Sequence, residues 1–278
     1  MTERTVIITG ASDGIGAVAA RQLAARGDRV VVVGRSPAKT KAVADGIGAD
    51  HLVADFARLD DVRDLAATLL ERYPRIDVLA NNAGGILGRR ETTVDGNEKT
   101  FQVNHLAPFL LTNLLLDRLA ESTASVINTS SVANTRFARF DIDDLNAEKS
   151  YSENRAYGNA KLANILFTAE LHNRFADRGI STAAFHPGIV ATGFAAGSTS
   201  AMRLIYRTVF KMFLIPPEQG ADTLVWLATT VPGVDWVSGA YYDKRQIASA
   251  NPLAYDPALA SQLWDTSSTL VGGALEPR

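Results

Sequence analysis

Short apolar runs rich in β-branched residues alternate along this chain with longer segments of helical periodicity. Such alternation is typical of a buried parallel sheet that carries helices on both faces. We predict strands at Arg4–Thr9, Arg29–Gly34, Asp50–Ala54, Ile76–Ala80, Ala124–Thr129 and Ile180–His186. We predict helices near Gly14–Arg26, Pro37–Gly46, Leu59–Tyr73, Glu98–Ala120 and Arg155–Asp177. The pattern therefore indicates an α/β fold with a doubly wound parallel sheet.

The whole chain, residues 1–278, is expected to form one domain. It contains no internal repeat, low-complexity tract or Pro/Ser-rich linker, and α/β folds often reach this length as a single unit. Hydrophobic residues make up 46% of the chain, which is enough for a large core.

Charge and residue usage exclude several classes of protein. The chain has 28 basic and 30 acidic residues, so its net charge of −2 gives no field that would attract nucleic acid. It has no cysteine, which excludes disulfides and thiolate chemistry, and its four histidines are scattered, so we expect no metal site. No apolar run reaches the roughly 18 residues of a membrane span, and no export signal is visible. We expect a cytoplasmic protein.

A glycine-rich turn follows the first predicted strand and leads directly into a helix. Its residues are Thr9, Gly10, Ala11, Ser12, Asp13, Gly14, Ile15 and Gly16. Glycine allows positive φ and close approach of a ligand, and the helix N-terminus offers free N–H groups to an anion. With the G-x-G-x-x-A match at Gly14–Ala19, the turn predicts a Rossmann-type site for a dinucleotide pyrophosphate. A glycine-rich turn without a ligand is the alternative.

Arg35 stands just after the second predicted strand, where an acidic residue would bind the adenosine ribose of NAD. A guanidinium forms paired, charge-assisted hydrogen bonds with phosphate. The residue therefore favours NADP(H) over NAD(H), unless Arg35 simply points into solvent. Asp13, inside the turn, adds no positive charge to this site.

Tyr157 and Lys161 lie four residues apart in a predicted helix, so their side chains share one face. A free phenol has a pKa of about 10, and a nearby cation favours the phenolate. At about 4 Å and an effective dielectric near 20 the attraction is on the order of 4 kcal/mol, enough to lower the pKa of the phenol by a few units. An exposed helix with an incidental Tyr and Lys is the alternative.

In order and spacing, the motifs resemble those of the short-chain dehydrogenase/reductase family over nearly the whole chain. They are Thr9-Gly10-x-x-x-Gly14-x-Gly16, Asp55, Asn81-Asn82-Ala83-Gly84, Asn104, Ser131, Tyr157-x-x-x-Lys161 and Pro187-Gly188-x-x-x-Thr192. The resemblance implies that Asp55, with Phe56 next to it, faces the adenine. It also implies that Asn82, Ala83 and Gly84 lie beneath the adenosine side, and that Pro187, Gly188, Ile189 and Thr192 hold the nicotinamide carboxamide.

The same resemblance implies catalytic roles. Tyr157 would be the general acid in carbonyl reduction or the base in alcohol oxidation, and it would also contact the cofactor. Lys161 would bind the nicotinamide ribose and lower the pKa of Tyr157. Ser131 would hydrogen-bond the substrate oxygen, although Ser130 is its immediate neighbour. Asn104 would order a water that continues the proton relay. These roles suit hydride transfer, since a carbonyl oxygen that gains negative charge needs a donor and then a proton.

Local motifs resemble the retinol-dehydrogenase-like branch of the family. They are Val126–Ser131, Ala156–Asn164, Phe185–Gly188, Asp144-Leu145-Asn146 and Leu263-Trp264. Ala160 departs from the family pattern, which usually has Ser before the lysine, and the departure implies loss of a hydrogen bond near the nicotinamide. Since members of that branch often carry membrane anchors and none is visible here, a retinoid substrate does not follow.

The sequence leaves several alternatives open. We expect a fairly apolar carbonyl or alcohol substrate next to Gly85, Ile86 and Leu87. We also expect a substrate-side lid at about 193–216, where an amphipathic stretch over 201–215 could equally be a packed surface helix or a membrane contact.

A non-catalytic NADP(H) sensor and a nucleotide-sugar epimerase are competing functions, and a homo-oligomer and a monomer fit equally. His105 and His186 are expected to be structural, because no Ser-His-acid arrangement is visible around them.

Overall fold

The computed structural model describes residues 4–188 and 215–273. In these residues an eight-stranded sheet has the order β3-β2-β1-β4-β5-β6-β7-β8, with every pairing parallel except the antiparallel pair of β7 and β8. The strands are β1 (Thr5–Thr9), β2 (Arg29–Gly34), β3 (Asp50–Val53), β4 (Val78–Asn81), β5 (Ser125–Thr129), β6 (Ser181–His186), β7 (Ala240–Asp243) and β8 (Gln246–Ile247). All six predicted strands are present with small shifts at their ends, and the predicted fold class is confirmed.

Helices cover both faces of the sheet. They are α1 (Gly14–Ala24), α2 (Pro37–Asp45), α3 (Leu59–Arg72), α4 (Lys99–Phe101), α5 (Ala107–Leu114), α6 (Leu116–Glu121), α7 (Ala133–Arg136), α8 (Glu153–Phe175), α9 (Pro217–Thr229) and α10 (Pro257–Leu270). Successive β1 residues show why two layers form. Ile7 packs in the core beneath α3, α5 and α8, whereas Ile8 packs in the opposite core with α1 and α9. Since side chains alternate across a strand, β1 is buried on both faces.

The helix predicted at Glu98–Ala120 is wrong as a single element. The structure has α4, then a π-helical segment at Gln102–Leu106, then α5 and α6. Pro108 has no N–H, so it cannot donate to the carbonyl of Asn104 four residues earlier. That carbonyl instead accepts a hydrogen bond from Asn164 Nδ2 at 3.0 Å. A helix of the same layer, distant in the chain, thereby stabilises the irregular segment, and sequence periodicity alone does not reveal this contact.

The sequence prediction did not include β7, β8, α7, α9 or α10. β7 and β8 are joined by Lys244 and Arg245, whose φ values are +49° and +63°. Two successive positive φ values are typical of the two-residue turn of a tight hairpin. These residues lack the usual Asn-Gly signal, and β7 has only four residues, so the local pattern was too weak to find.

Most of the predicted lid at 193–216 lies outside the described residues. So does the amphipathic stretch from 201 to 214. Within residues 4–188 and 215–273, no helix combines the length and the apolarity that crossing a membrane requires.

Candidate active site

The carboxyl ends of the parallel strands meet at one edge of the sheet, around a cavity of about 780 Å³. The cavity lies at the end of β1, between its neighbours β2 and β4. From β1 the strand order runs to β2 and β3 on one side and to β4, β5 and β6 on the other, so the direction of winding reverses at this point. In open α/β sheets this switch point is the usual ligand site. Its wall includes most of the predicted cofactor residues, namely Gly10, Ser12, Asp13, Gly14, Ile15, Gly16, Arg35, Asp55, Phe56, Asn82, Ala83, Gly84, Pro187 and Gly188.

The glycine turn leaves no room for side chains at two positions. Gly10 has φ +66°, and a Cβ there would lie 2.7 Å from the Cα of Ala83. A Cβ on Gly16 would lie 2.5 Å from the carbonyl oxygen of Gly10. The turn therefore packs backbone against backbone, and α1 begins at its edge with N–H groups available to an anion. This cradle fits a dinucleotide pyrophosphate.

Asn82 joins three strand ends. Its Nδ2 donates to the carbonyl of Thr9 at 3.0 Å, and its Oδ1 accepts from the hydroxyl of Thr129 at 3.3 Å. The Thr9 hydroxyl in turn accepts from the N–H of Ala83. The side chain of Asn82 thus fixes the floor of the cavity, with its polar atoms already committed to protein partners.

The end of the cavity where the sequence predicts the adenosine is bordered by the ends of β2 and β3. Arg35 is exposed, and it makes no ion pair or hydrogen bond with any residue of the described part of the chain. The carboxylate of Asp55 accepts from the N–H of Ala57 at 3.0 Å, and Phe56 is buried beside it. A guanidinium at this position can therefore turn to an anionic ligand without breaking another described contact.

Tyr157 and Lys161 lie on the wall of this same cavity. Both belong to α8 and are buried, with 5% and 1% of their surfaces exposed. The Nζ of Lys161 lies 5.4 Å from the centre of the Tyr157 ring and donates to the carbonyl of Thr129 at 3.0 Å. Burial lowers the pKa of Lys161 to about 7. The structure thus brings the predicted phenol and ammonium together on the cavity that the glycine turn borders.

The two neighbouring serines differ in what their hydroxyls contact. Ser130 is fully buried, and its Oγ donates to the carbonyl of Lys161 at 2.7 Å. Ser131 is only half-buried, and its Oγ accepts from the N–H of Ala133 at 3.2 Å. Ser131 therefore keeps its hydroxyl proton for a ligand, which favours Ser131 over Ser130 as a donor.

Asn104 lies behind the cavity wall rather than on it. Its Oδ1 accepts from the N–H of Gly85 at 3.0 Å, and its Nδ2 donates to the carbonyls of Gly85 and Thr100. A Cβ on Gly84 would lie 2.4 Å from that Oδ1 and 3.1 Å from Nζ of Lys161. The Asn104 amide is thus committed to the backbones of Gly85 and Thr100, and its own carbonyl accepts from Asn164. The water expected at Asn104 stays a prediction.

At the side expected for the nicotinamide, Pro187 and Gly188 follow β6 and border the cavity. Gly188 has φ +85°, and a Cβ there would lie 2.4 Å from Cδ1 of Ile215. The chain therefore returns from the undescribed stretch close to the point where it entered. Ile189 and Thr192, the other two residues predicted here, lie outside the described residues.

His105 and His186 were both expected to be structural. The ring nitrogens of His105 lie 3.3 Å from Asn164 Oδ1 and 2.9 Å from Ser267 Oγ, and burial lowers its pKa to about 4, which confirms a structural role. His186 does border the cavity, and its Nδ1 accepts from the N–H of Val132 at 3.4 Å. Burial also lowers the pKa of His186. This histidine is therefore neutral near pH 7 and fixes the segment after β5.

Sequence reasoning missed several residues of the cavity wall. At the substrate side the expected Gly85, Ile86 and Leu87 are joined by Val103, Arg136, Phe137 and His186, and at the adenosine side by Ser36 and Lys39. Only Lys39 had a usable signal. Pro37 marks a helix start and so puts Lys39 in the first turn of α2, just after the end of β2. In residues 4–188 and 215–273, no group of three or more His, Asp or Glu side chains is placed to bind a metal ion.

Comparison with known proteins agrees with this geometry. The family model of the short-chain dehydrogenases matches residues 4–203. The chain is 45% identical over 276 residues to a protein named as a daunorubicin C-13 ketoreductase in Streptomyces sp. (strain C5), covering 97% of this chain and 93% of that protein. It is 39% identical over 285 residues to human retinol dehydrogenase 13, covering 97% and 85%.

Solved structures show the same architecture. A protein of Mycobacterium paratuberculosis is 33% identical, with a TM-score of 0.80 over 99% of this chain and 95% of that one. A 3-ketoacyl-(acyl-carrier-protein) reductase of Brucella melitensis, solved with NADH, is 24% identical and has a TM-score of 0.68 over 88% and 98%, so it shows the shared fold. The chain belongs to the short-chain dehydrogenase/reductase family, in its retinol-dehydrogenase-like branch.

Proposed function

We propose that this protein is an NADP(H)-dependent oxidoreductase that interconverts a carbonyl and an alcohol on a fairly apolar small molecule. One observation carries the proposal: the glycine turn, Ser131, Tyr157 and Lys161 border a single cavity. A nicotinamide nucleotide, when bound, supplies or accepts the hydride, and the protein must position the substrate and move the proton.

The proton chemistry is assigned to side chains of the wall. The Ser131 hydroxyl donates a hydrogen bond to the substrate oxygen, and the Tyr157 hydroxyl gives that oxygen its proton during reduction. In oxidation the same phenol accepts the proton. When Lys161 carries its proton, the ammonium favours the ionised form of a neighbouring phenol.

NADP(H) is favoured over NAD(H) because Arg35 faces the adenosine end without a protein partner among the described residues. A guanidinium there attracts a 2′-phosphate. An apolar substrate is favoured because Ile86, Leu87 and Phe137 border the other end, and 41% of the Phe137 surface is exposed. Two relatives described above are named as a ketoreductase and a retinol dehydrogenase. These names describe action on a carbonyl and on an alcohol.

The proposal is tested by following NADPH and NADH oxidation in parallel over a panel of ketones and aldehydes, and NADP⁺ and NAD⁺ reduction over the matching alcohols. We expect turnover with at least one apolar carbonyl and a higher kcat/KM with NADPH than with NADH. Tight NADPH binding without turnover over the whole panel would support the non-catalytic sensor instead. A higher kcat/KM with NADH would overturn the assignment of Arg35.

A further inference from the structure

Lys39 stands on the cavity wall with its charge already engaged. Its Nζ lies 2.9 Å from Oδ2 of Asp13, and both residues border the cavity together with Arg35. Lys39 belongs to the first turn of α2, whereas Asp13 belongs to the glycine turn before α1. The ion pair therefore bridges two elements across the adenosine end of the site.

The two partners are held to different degrees. The second carboxylate oxygen of Asp13 accepts from the N–H of Gly14 at 2.8 Å, so the carboxylate is fixed at the start of α1. The hydrogen bond from Lys39 and then that from Gly14 lower the pKa of Asp13, which keeps the carboxylate charged at neutral pH. The long side chain of Lys39 makes its only described polar contact with Asp13. Lys39 is thus the partner that can move.

Breaking this ion pair costs little. The side chains are 63% and 65% exposed, and water and salt screen an ion pair that is this exposed, so it contributes little to stability. A doubly charged phosphate that enters the site attracts the lysine more strongly than a single carboxylate does. The same phosphate is repelled by Asp13 once the lysine leaves it.

The glycine turn and the end of β2 are in direct contact here. A Cβ on Gly34 would lie 2.8 Å from the Cβ of Ser12. Arg35 follows Gly34 in the chain, and Asp13 with its bound Lys39 follows Ser12. An anionic group over this contact would therefore have the guanidinium on one side and the ion pair on the other.

We propose that Lys39 is a second coenzyme-specificity residue and that Asp13 competes for it. The 2′-phosphate of NADP(H) draws Lys39 away from Asp13, so the carboxylate lowers the affinity for the phosphorylated nucleotide below what Arg35 and Lys39 alone would give. This inference rests on the proposed preference for NADP(H), and it adds two residues that determine how strong that preference is.

The test uses calorimetric titration of the full chain with 2′,5′-ADP and with 5′-AMP, which lacks the 2′-phosphate. For Lys39→Gln we expect 2′,5′-ADP to bind about tenfold more weakly, equal to about 1.4 kcal/mol, and 5′-AMP to bind as before. For Asp13→Asn, which keeps an acceptor for Gly14, we expect 2′,5′-ADP to gain severalfold in affinity relative to 5′-AMP. Lys41→Gln is the control, since Lys41 pairs with Asp45 on the same helix away from the cavity and should change neither affinity.

The double variant Asp13→Asn/Lys39→Gln separates a phosphate contact from simple neutralisation of Asp13. If Lys39 binds the phosphate, its loss still weakens 2′,5′-ADP when Asp13 is already neutral. If the effect of Lys39→Gln vanishes in that background, or if both ligands respond equally to every variant, the inference is overturned while the proposed function stands. Failure of the wild-type chain to bind either ligand would overturn the proposed function and the inference with it.

Discussion

Burying the charge of Lys161 lowers the stability of the folded protein, even though the proposed chemistry needs that charge. The side chain is 1% exposed, and burial lowers its pKa from 10.5 to about 7. Each pKa unit corresponds to about 1.4 kcal/mol of preference for the neutral form. The carbonyl of Thr129, to which Lys161 donates, also accepts from Nδ2 of Asn164 at 3.1 Å, so it keeps a partner without the lysine. The ammonium is therefore a cost to folding that the chemistry requires.

Lys161→Met is expected to stabilise the protein and abolish its activity. Between pH 7 and 10.5 the unfolded chain binds more protons at this position than the folded one, so the penalty from Lys161 is largest at or below pH 7 and fades as the pH rises towards 10.5. We expect the free energy of unfolding of the variant to exceed that of the wild type by on the order of 1–3 kcal/mol at pH 7, and the gap to narrow at pH 9. Urea denaturation at the two pH values measures it. A less stable variant at pH 7 would contradict this reading of Lys161.

His105 is expected to make the fold sensitive to acid. Its pKa is lowered to about 4 by burial, against about 6.5 in an unfolded chain. As the pH falls from 6.5 towards 4, the unfolded state binds a proton at His105 that the folded state does not bind. The free energy of unfolding therefore falls across that window by on the order of 3 kcal/mol. NMR titration of the imidazole should show a neutral ring at pH 5. A ring that is already protonated at pH 6 would refute this expectation.

At the scale of elements, α8 connects the chemistry to the rest of the fold. It carries Tyr157 and Lys161 on the cavity wall, and one turn later Asn164 donates to the carbonyls of both Asn104 and Thr129. The first carbonyl belongs to the π-helical segment and the second to the end of β5. One buried amide therefore fixes the helix of the phenol against two other elements of the site.

Asn164→Asp tests that connection. The substitution places a carboxylate against two carbonyl oxygens in a position that is 3% exposed, so we expect a loss of stability of about 2–5 kcal/mol. Asn159→Asp, on the same helix, is the control, because its amide bonds the backbone of Arg139 near the surface and its change should cost less than about 1 kcal/mol. Thermal unfolding of both variants gives the comparison, and equal losses would show that Asn164 has no special role.

At the scale of the whole molecule, the sequence predicted what depends on local periodicity. The apolar runs predicted strands β1 to β6. The glycines of the turn after β1 predicted the edge of the sheet at which the cavity lies. The interruption around Asn104 was missed because it depends on a hydrogen bond from Asn164, 60 residues away. Pro37 places Lys39 in the first turn of α2, but its ion pair with Asp13 joins α2 to the glycine turn, 26 residues away, and was missed for that reason. Local patterns do not encode contacts of this kind between distant elements.

The central claim is that the Tyr157 hydroxyl transfers the proton, and that the cavity still binds the nucleotide when this hydroxyl is removed. The most direct measurement compares turnover and NADPH binding in Tyr157→Phe, with Tyr255→Phe as the control, since 66% of the Tyr255 surface is exposed and it does not border the cavity. We predict that kcat falls by about 10²–10⁴-fold in Tyr157→Phe, while the Kd for NADPH changes by less than about threefold and Tyr255→Phe behaves like the wild type. Full turnover in Tyr157→Phe would contradict the account.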